Sequence, residues 1–269
     1  MIPVHDELGK RMKTYYEQIP QSKLMRRCPV CIRIDGKAFH SYTRGFQKPF
    51  DSILVKTMQD TMKYLCENIQ GCVCAYQQSD EITLILVDYK KLDSSAWFDY
   101  EVQKICSIAA SMATMAFNKC FADNVENLCF NTKELLSNEE FDKMFDIYGS
   151  KVGKAMFDAR CFNIPKEEVT NLIYWRQLDA TRNSIQMVGR SKFSHKQLEN
   201  KSNSDIQDML MKEYHINWND IPTHLKRGSC CIKDTSENGR GNWKIDLDIP
   251  IFRGEGREYI DKLVYIESV

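Results

Sequence analysis

The chain has 269 residues, 43% of them hydrophobic and 28% charged, and its 37 basic and 37 acidic residues give zero net charge. A chain of this size buries a core of its own, and the charge balance excludes a generic DNA-coating protein while still allowing local basic patches that meet phosphates. The opening MIPVHDELGKRMKTYYEQI has no apolar run, and no stretch approaches the roughly 18 apolar residues of a membrane span, so the expectation is a cytoplasmic protein with no membrane partner.

Residues 29–34 (PVCIRI) read as a strand that stops abruptly at Asp35-Gly36. Cys28 and Cys31 have zinc-ligand spacing, but no second CxxC or HxxxH follows. The eleven cysteines lie mostly in apolar runs, which fits reduced, buried thiols better than a disulfide framework. Across 52–69, Leu54, Met58, Met62, Leu65 and Ile69 recur at helical spacing, with Asp51 or Ser52 as the cap. The apolar runs at 72–77 and 82–88 flank the polar break QSDE, which reads as a hairpin. A second long helix is expected over about 99–120, where Val102, Ile105, Ala109, Met112, Ala113, Ala116 and Phe117 share one stripe. A strand near 155–162 follows.

That order is strand, helix, strand, strand, helix, strand. It predicts an α+β fold, a ferredoxin-like antiparallel sheet with helices packed against one face. Past Pro165 the chain turns helix-rich. One helix should run from Pro165 to about Gly189 and shorter ones near 194–200 and 203–213, before a last strand pair, SCCIKD and WKIDLDI. The expected division is this ferredoxin-like unit at 1–164 and a C-terminal extension at 165–269 packed on it, with no clear linker.

The chemistry concentrates in RIDGKAFHSYTRGFQKP (33–49) and QQSDE (77–81). In the predicted unit the first strand lies beside the third, so Asp35 meets the Ser79-Asp80-Glu81 turn. Converging carboxylates repel each other unless a cation neutralises them. Magnesium suits one or two such groups plus substrate phosphates, and a pair of ions would activate an attacking oxygen and stabilise a leaving phosphate. Gly36 would bare the backbone to a cation or phosphate, and the amides after it would form a nest for a triphosphate. From Lys23 to Lys48 the only acid among seven basic residues is Asp35, which leaves Arg33 and Lys48 to meet phosphates. Taken singly, each motif is also what a plain strand-end turn or hairpin loop looks like.

Together, RIDGKAFH (33–40), KPFD (48–51) and YQQSDE (76–81) resemble the tRNA-His guanylyltransferase superfamily, and WRQ (175–177) and KRGS (226–229) also fit. The resemblance implies a polymerase-like palm in which a nucleotide's 3′-hydroxyl attacks an activated 5′ end of RNA. It implies two Mg2+ ions on Asp35, the Gly36 carbonyl and Asp80, with Glu81 as a supporting catalytic carboxylate. Nucleotide contacts would come from Arg33, Asp35, Gly36, Lys37, Ala38, Phe39, His40, Lys48, Ser79 and Asp80, with His40 touching the nucleotide or bracing the loop. Implied partners are tRNA, GTP and ATP, and a homotetramer whose subunits share one tRNA. Where the guanylyltransferases proper carry an HINNLY-type stretch, this chain has ATRNSIQ (180–186), with Thr181 for the histidine and Asn183 retained. That departure is similar to the branch that repairs 5′-truncated tRNA by templated addition. The alternatives are guanylation of tRNA-His itself and, more distantly, a palm-fold nucleotide cyclase. The basic stretch Arg176, Arg182, Asn183, Arg190, Lys192, Lys196 and Lys201 either tracks RNA phosphates or is a solvated helical face, and Lys226 and Arg227 are weaker candidates for RNA contact.

Overall fold

A computed structural model describes residues 4–133, 135–234 and 241–266. In chain order it runs α1 (Val4–Met12), β1 (Val30–Gly36), α2 (Phe39–Tyr42), α3 (Ser52–Asn68), β2 (Cys72–Gln78), β3 (Glu81–Leu86), α4 (Val102–Thr132), α5 (Asn138–Gly149) and β4 (Phe157–Asn163). The chain continues through α6 (Lys166–Lys192), α7 (His195–Leu198), α8 (Asn203–Tyr214), α9 (Thr223–Arg227), β5 (Ser229–Asp234), β6 (Asn242–Asp246) and α10 (Glu258–Val264).

The strands form one antiparallel sheet in the order β4-β1-β3-β2-β5-β6. The first four follow the expected ferredoxin-like arrangement, with β1 beside β3. Alternation along the strands sorts the side chains between two faces. Val30, Ile32 and Ile34 of β1 and Ile82, Leu84 and Leu86 of β3 are buried toward α3 and α4. Each contributes roughly 1.5–3 kcal/mol by leaving water. The other face is also covered: Cys31, Cys74, Tyr76 and Ile85 pack against Val169 and Ile173 of α6 and Ile260 and Val264 of α10. Burial on both sides explains why β2 and β3 read as unbroken apolar runs. The C-terminal part thus covers the second face and adds β5 and β6 to the sheet edge at β2.

α3 starts as expected at Asp51, whose side chain accepts from the Leu54 amide and also from the Gln47 amide and the Tyr148 hydroxyl. α4 runs twelve residues beyond the expected end, and by length and composition (mean hydropathy 1.3) it could cross a membrane. This corrects the expectation that no stretch approaches a span. Its buried stripe of Ile105, Ala109, Ala113, Ala116, Phe117, Phe121 and Val125 is committed to the core of this domain. α5 was not expected, although Ser137 and Glu140 form a capping box that marks its start. Gly189 does not end α6. A Cβ there would lie 2.8 Å from Ile206 Cγ2, so the glycine lets α8 pack closely against the helix.

Six of the eleven cysteines are buried. Burial pushes the Cys31 thiol well up, and the Cys28 thiol donates to the Ile164 carbonyl at 3.4 Å. The zinc reading of the pair therefore fails, because Cys31 is held as a neutral core thiol.

Candidate active site

The site forms where β1 ends beside the two-residue turn between β2 and β3. Antiparallel register sets Asp35 opposite Glu81 of β3 and opposite Asp158 of β4. Ser79 takes the left-handed conformation that so tight a turn demands (φ 50°). The Gly36 amide donates to the Asp80 carbonyl at 3.1 Å, tying the strand end to the turn. Asp35 and Asp80 are brought together as expected. Burial holds the Asp80 carboxyl above its usual range, and the Asp35 charge adds to this against the Ser79 hydroxyl, which donates to Oδ1 at 3.0 Å.

Among the described residues neither Asp35 nor Asp80 has a basic partner in an ion pair. Two adjoining carboxylates, partly buried and uncompensated, fit a hard divalent cation such as Mg2+. No group of three His, Cys, Asp or Glu side chains closes on a single point among the described residues.

Gly36 is required by its own loop. A Cβ there would sit 2.3 Å from Cδ2 of Phe39, whose ring packs against Tyr42, Phe117 and Phe157. The Gly36 and Lys37 amides are spent within the protein, on the Asp80 and Met156 carbonyls. The expected nest therefore begins later, at left-handed Ala38 (φ 53°, ψ 38°) leading into α2.

The loop opens on a cleft of about 550 Å³ whose lining includes His40, Lys48, Ser79, Asp80, Asn183 and Arg190. A narrower slot of about 80 Å³ adjoins it, with Leu54, Gln77, Met187 and His224 in its wall. Asn183 and Arg190, expected as RNA contacts, thus face the same cleft as the nucleotide motifs. Met187 and Gln186 also line it; in the sequence Met187 reads only as helix, and Gln186 only as the last residue of the ATRNSIQ stretch. Arg33 does not line the cleft: its guanidinium lies 5.9 Å from the Trp175 ring centroid.

Arg176 was expected to meet RNA phosphates and does not. It is buried and grips both oxygens of Glu81, Nε to Oε1 at 2.7 Å and Nη2 to Oε2 at 2.8 Å. Burial raises the Glu81 carboxyl, while Arg176 draws it back. Arg176 also reaches Asp179 at 3.0 Å, and Arg182 pairs with the same acid. Lys226 likewise turns inward, donating to the Asn219 carbonyl beside the Trp218 ring. Lys192 lies near the Tyr214 ring, and Lys192, Lys196 and Lys201 remain exposed. Gly228 of the KRGS stretch has φ 84°, and a Cβ would meet the Gln77 carbonyl at 2.5 Å. The Tyr76 hydroxyl binds the neighbouring Arg227 carbonyl at 2.7 Å.

A family model described as tRNAHis guanylyltransferase matches residues 9–165. A bacterial tRNA(His) guanylyltransferase-like protein, solved in complex with ATP, is 42% identical, covers 96% of this chain and 99% of its own, and superposes with a TM-score of 0.79. A bacterial protein of the same description in complex with GTP is 37% identical, with coverage of 97% and 100% and a TM-score of 0.72. An uncharacterized protein of Acanthamoeba polyphaga mimivirus is 29% identical over 84% of this chain and 76% of its own length.

Proposed function

Since the chain belongs to the tRNA-His guanylyltransferase family of nucleotidyltransferases, we propose that it extends RNA in the 3′-to-5′ direction, adding template-matched nucleotides, GTP among them, to tRNAs that have lost their 5′ end. The observation that carries this reading is the uncompensated pair Asp35 and Asp80, of which Asp80 lines a cleft together with Lys48, His40 and Arg190. Asp35 and Asp80 would hold Mg2+, which, when bound, polarises the phosphate and lowers the pKa of the attacking hydroxyl. Lys48 and Arg190 offer positive charge to a triphosphate. The turn of amides at 38–40 offers donors to its oxygens.

Thr181 favours end repair over guanylation of tRNA-His. It stands where the guanylyltransferases proper carry a histidine, and its hydroxyl is spent on the Gln177 carbonyl at 2.9 Å. It therefore presents neither an imidazole base nor a free donor. Lys192 at the end of α6, Lys196 in α7 and Lys201 just beyond it are exposed and suit RNA phosphates. The proposal includes residence in the cytoplasm and a homotetramer. Leu8, Met12, Tyr15, Tyr16 and Ile19 form an exposed apolar run suited to subunit contact.

The test is nucleotide addition with Mg2+ and labelled GTP to two RNAs: a tRNA lacking its first nucleotide and carrying a 5′-triphosphate, and intact tRNA-His. Template-matched extension of the truncated tRNA is expected. Preferential guanylation of tRNA-His would replace repair by maturation. GTP consumed with neither RNA extended would replace both by cyclisation.

A further inference from the structure

Three acids stand in one row across the sheet, Glu81 on β3, Asp35 on β1 and Asp158 on β4, paired in register. Their side chains share the face that carries α6. Glu81 lies near enough to Asp35 to feel its charge, so a cation at Asp35 and Asp80 would have one further carboxylate, Glu81, in its neighbourhood. Each outer acid is instead drawn away by an arginine. Arg160 binds Asp158 at 3.1 Å in an exposed pair, and Arg176 grips Glu81 with both nitrogens in a buried one. Exposed pairs hold weakly, whereas a buried bidentate pair has few alternatives. Arg176 is fixed twice more, by Asp179 at 3.0 Å and by the Trp175 ring at 4.5 Å. Its grip on Glu81 is thus set by α6, and α6 is anchored against the sheet through Val169 and Ile173.

We infer that Arg176 is a positioning residue of the transfer centre, holding Glu81 off the cation so that Asp35 and Asp80 remain its only carboxylates and the other coordination positions stay open to phosphate oxygens. This rests on the proposed function. Magnesium accepts one or two carboxylates alongside substrate phosphates. A third carboxylate would bind the free cation more tightly and would compete with the triphosphate through its position and its charge. Arg176 therefore weakens resting cation affinity and preserves turnover.

The test measures Mn2+ affinity by electron paramagnetic resonance, together with kcat and KM for GTP in RNA extension. The proteins are the wild type, Asp35→Asn, Arg176→Gln, Glu81→Gln and the Arg176→Gln/Glu81→Gln double variant. Arg176→Gln should bind Mn2+ about tenfold more tightly, because a carboxylate is added to the site. Its kcat should fall roughly 10- to 100-fold. The double variant should return Mn2+ affinity to the wild-type level, since the Glu81 carboxylate is gone. A merely structural arginine would give weaker, not tighter, metal binding. Unchanged or weaker affinity in Arg176→Gln, or tight binding that persists in the double variant, overturns the inference. If Arg176→Gln fails to fold, Arg176→Lys, which keeps the charge but loses the two-point grip, should show a smaller tightening, and its absence overturns the inference equally. Asp35→Asn reports separately on the underlying function: if it binds Mn2+ as the wild type does, the metal centre itself is wrong.

Discussion

Gly36→Ala probes whether the loop that follows Asp35, the first acid of the proposed metal site, is held by packing. The added methyl would lie 2.3 Å from Phe39 Cδ2, 2.6 Å from Cε2 and 2.7 Å from Cγ. Ordinary carbon contacts are about 3.5–4.0 Å, so one side must move by more than about 1 Å. The Phe39 ring is only 4% exposed, and the Tyr42, Phe157 and Phe117 rings lie 4.9, 5.1 and 5.5 Å from it between centroids. Forcing a methyl into such a packed site costs about 1–3 kcal/mol. If the strand end moves instead, the 3.1 Å bond from Gly36 to the Asp80 carbonyl stretches and the two acids separate. A displacement of about 1 Å at a reacting centre is worth about 100-fold in rate. Urea unfolding and single-turnover nucleotide addition should therefore both register the change. Phe39→Leu in the same chain should relieve part of the clash and show positive coupling in a double-mutant cycle. A Gly36→Ala protein with the wild-type midpoint and rate, or two substitutions that simply add, would refute the argument.

Asp80→Asn should stabilise the metal-free protein at neutral pH. Its carboxyl is raised in the folded state by burial and by Asp35, so its contribution is fully favourable below the unfolded value of about 3.9 and is lost as pH climbs through the folded value. Melting with chelator from acid to neutral pH should show the variant's advantage growing with pH, and saturating Mg2+ should stabilise the wild type alone. Lys48→Ala should weaken GTP binding by about tenfold or more, as expected for a lost charge-assisted contact of about 1.5–3 kcal/mol, with no shift in the unfolding midpoint. Titration of nucleotide into the variant checks this. Tyr148→Phe removes the 2.6 Å hydroxyl bond to Asp51, which also caps α3 and accepts from the Gln47 amide. A loss of about 1–3 kcal/mol in urea unfolding is expected, and an unchanged midpoint would mean that the cap stands without it.

The sequence by itself determined what depends on neighbours along the chain. Strand and helix phase, the Asp51 cap and the hairpin at Ser79-Asp80 follow from short-range periodicity and turn chemistry, and the meeting of Asp35 with that hairpin follows from the order of the elements, which sets the first strand beside the third. The family motifs sit on those elements and are legible for the same reason. The tertiary structure decided what each side chain faces. Arg176 and Lys226 count as basic residues in any tally of charge, yet one is buried against Glu81, 95 positions away, and the other against the Asn219 carbonyl. Asn183 and Arg190 come from the same helical stretch and turn into the nucleotide cleft. Gly36 and Gly189 look like a strand-end turn and a helix stop, but each makes room for one particular side chain, Phe39 or Ile206. A charge run cannot tell a solvated face from a buried partner, because desolvation and pairing are set by the residue packed opposite, and that residue is chosen only when the sheet closes and α6 docks upon it.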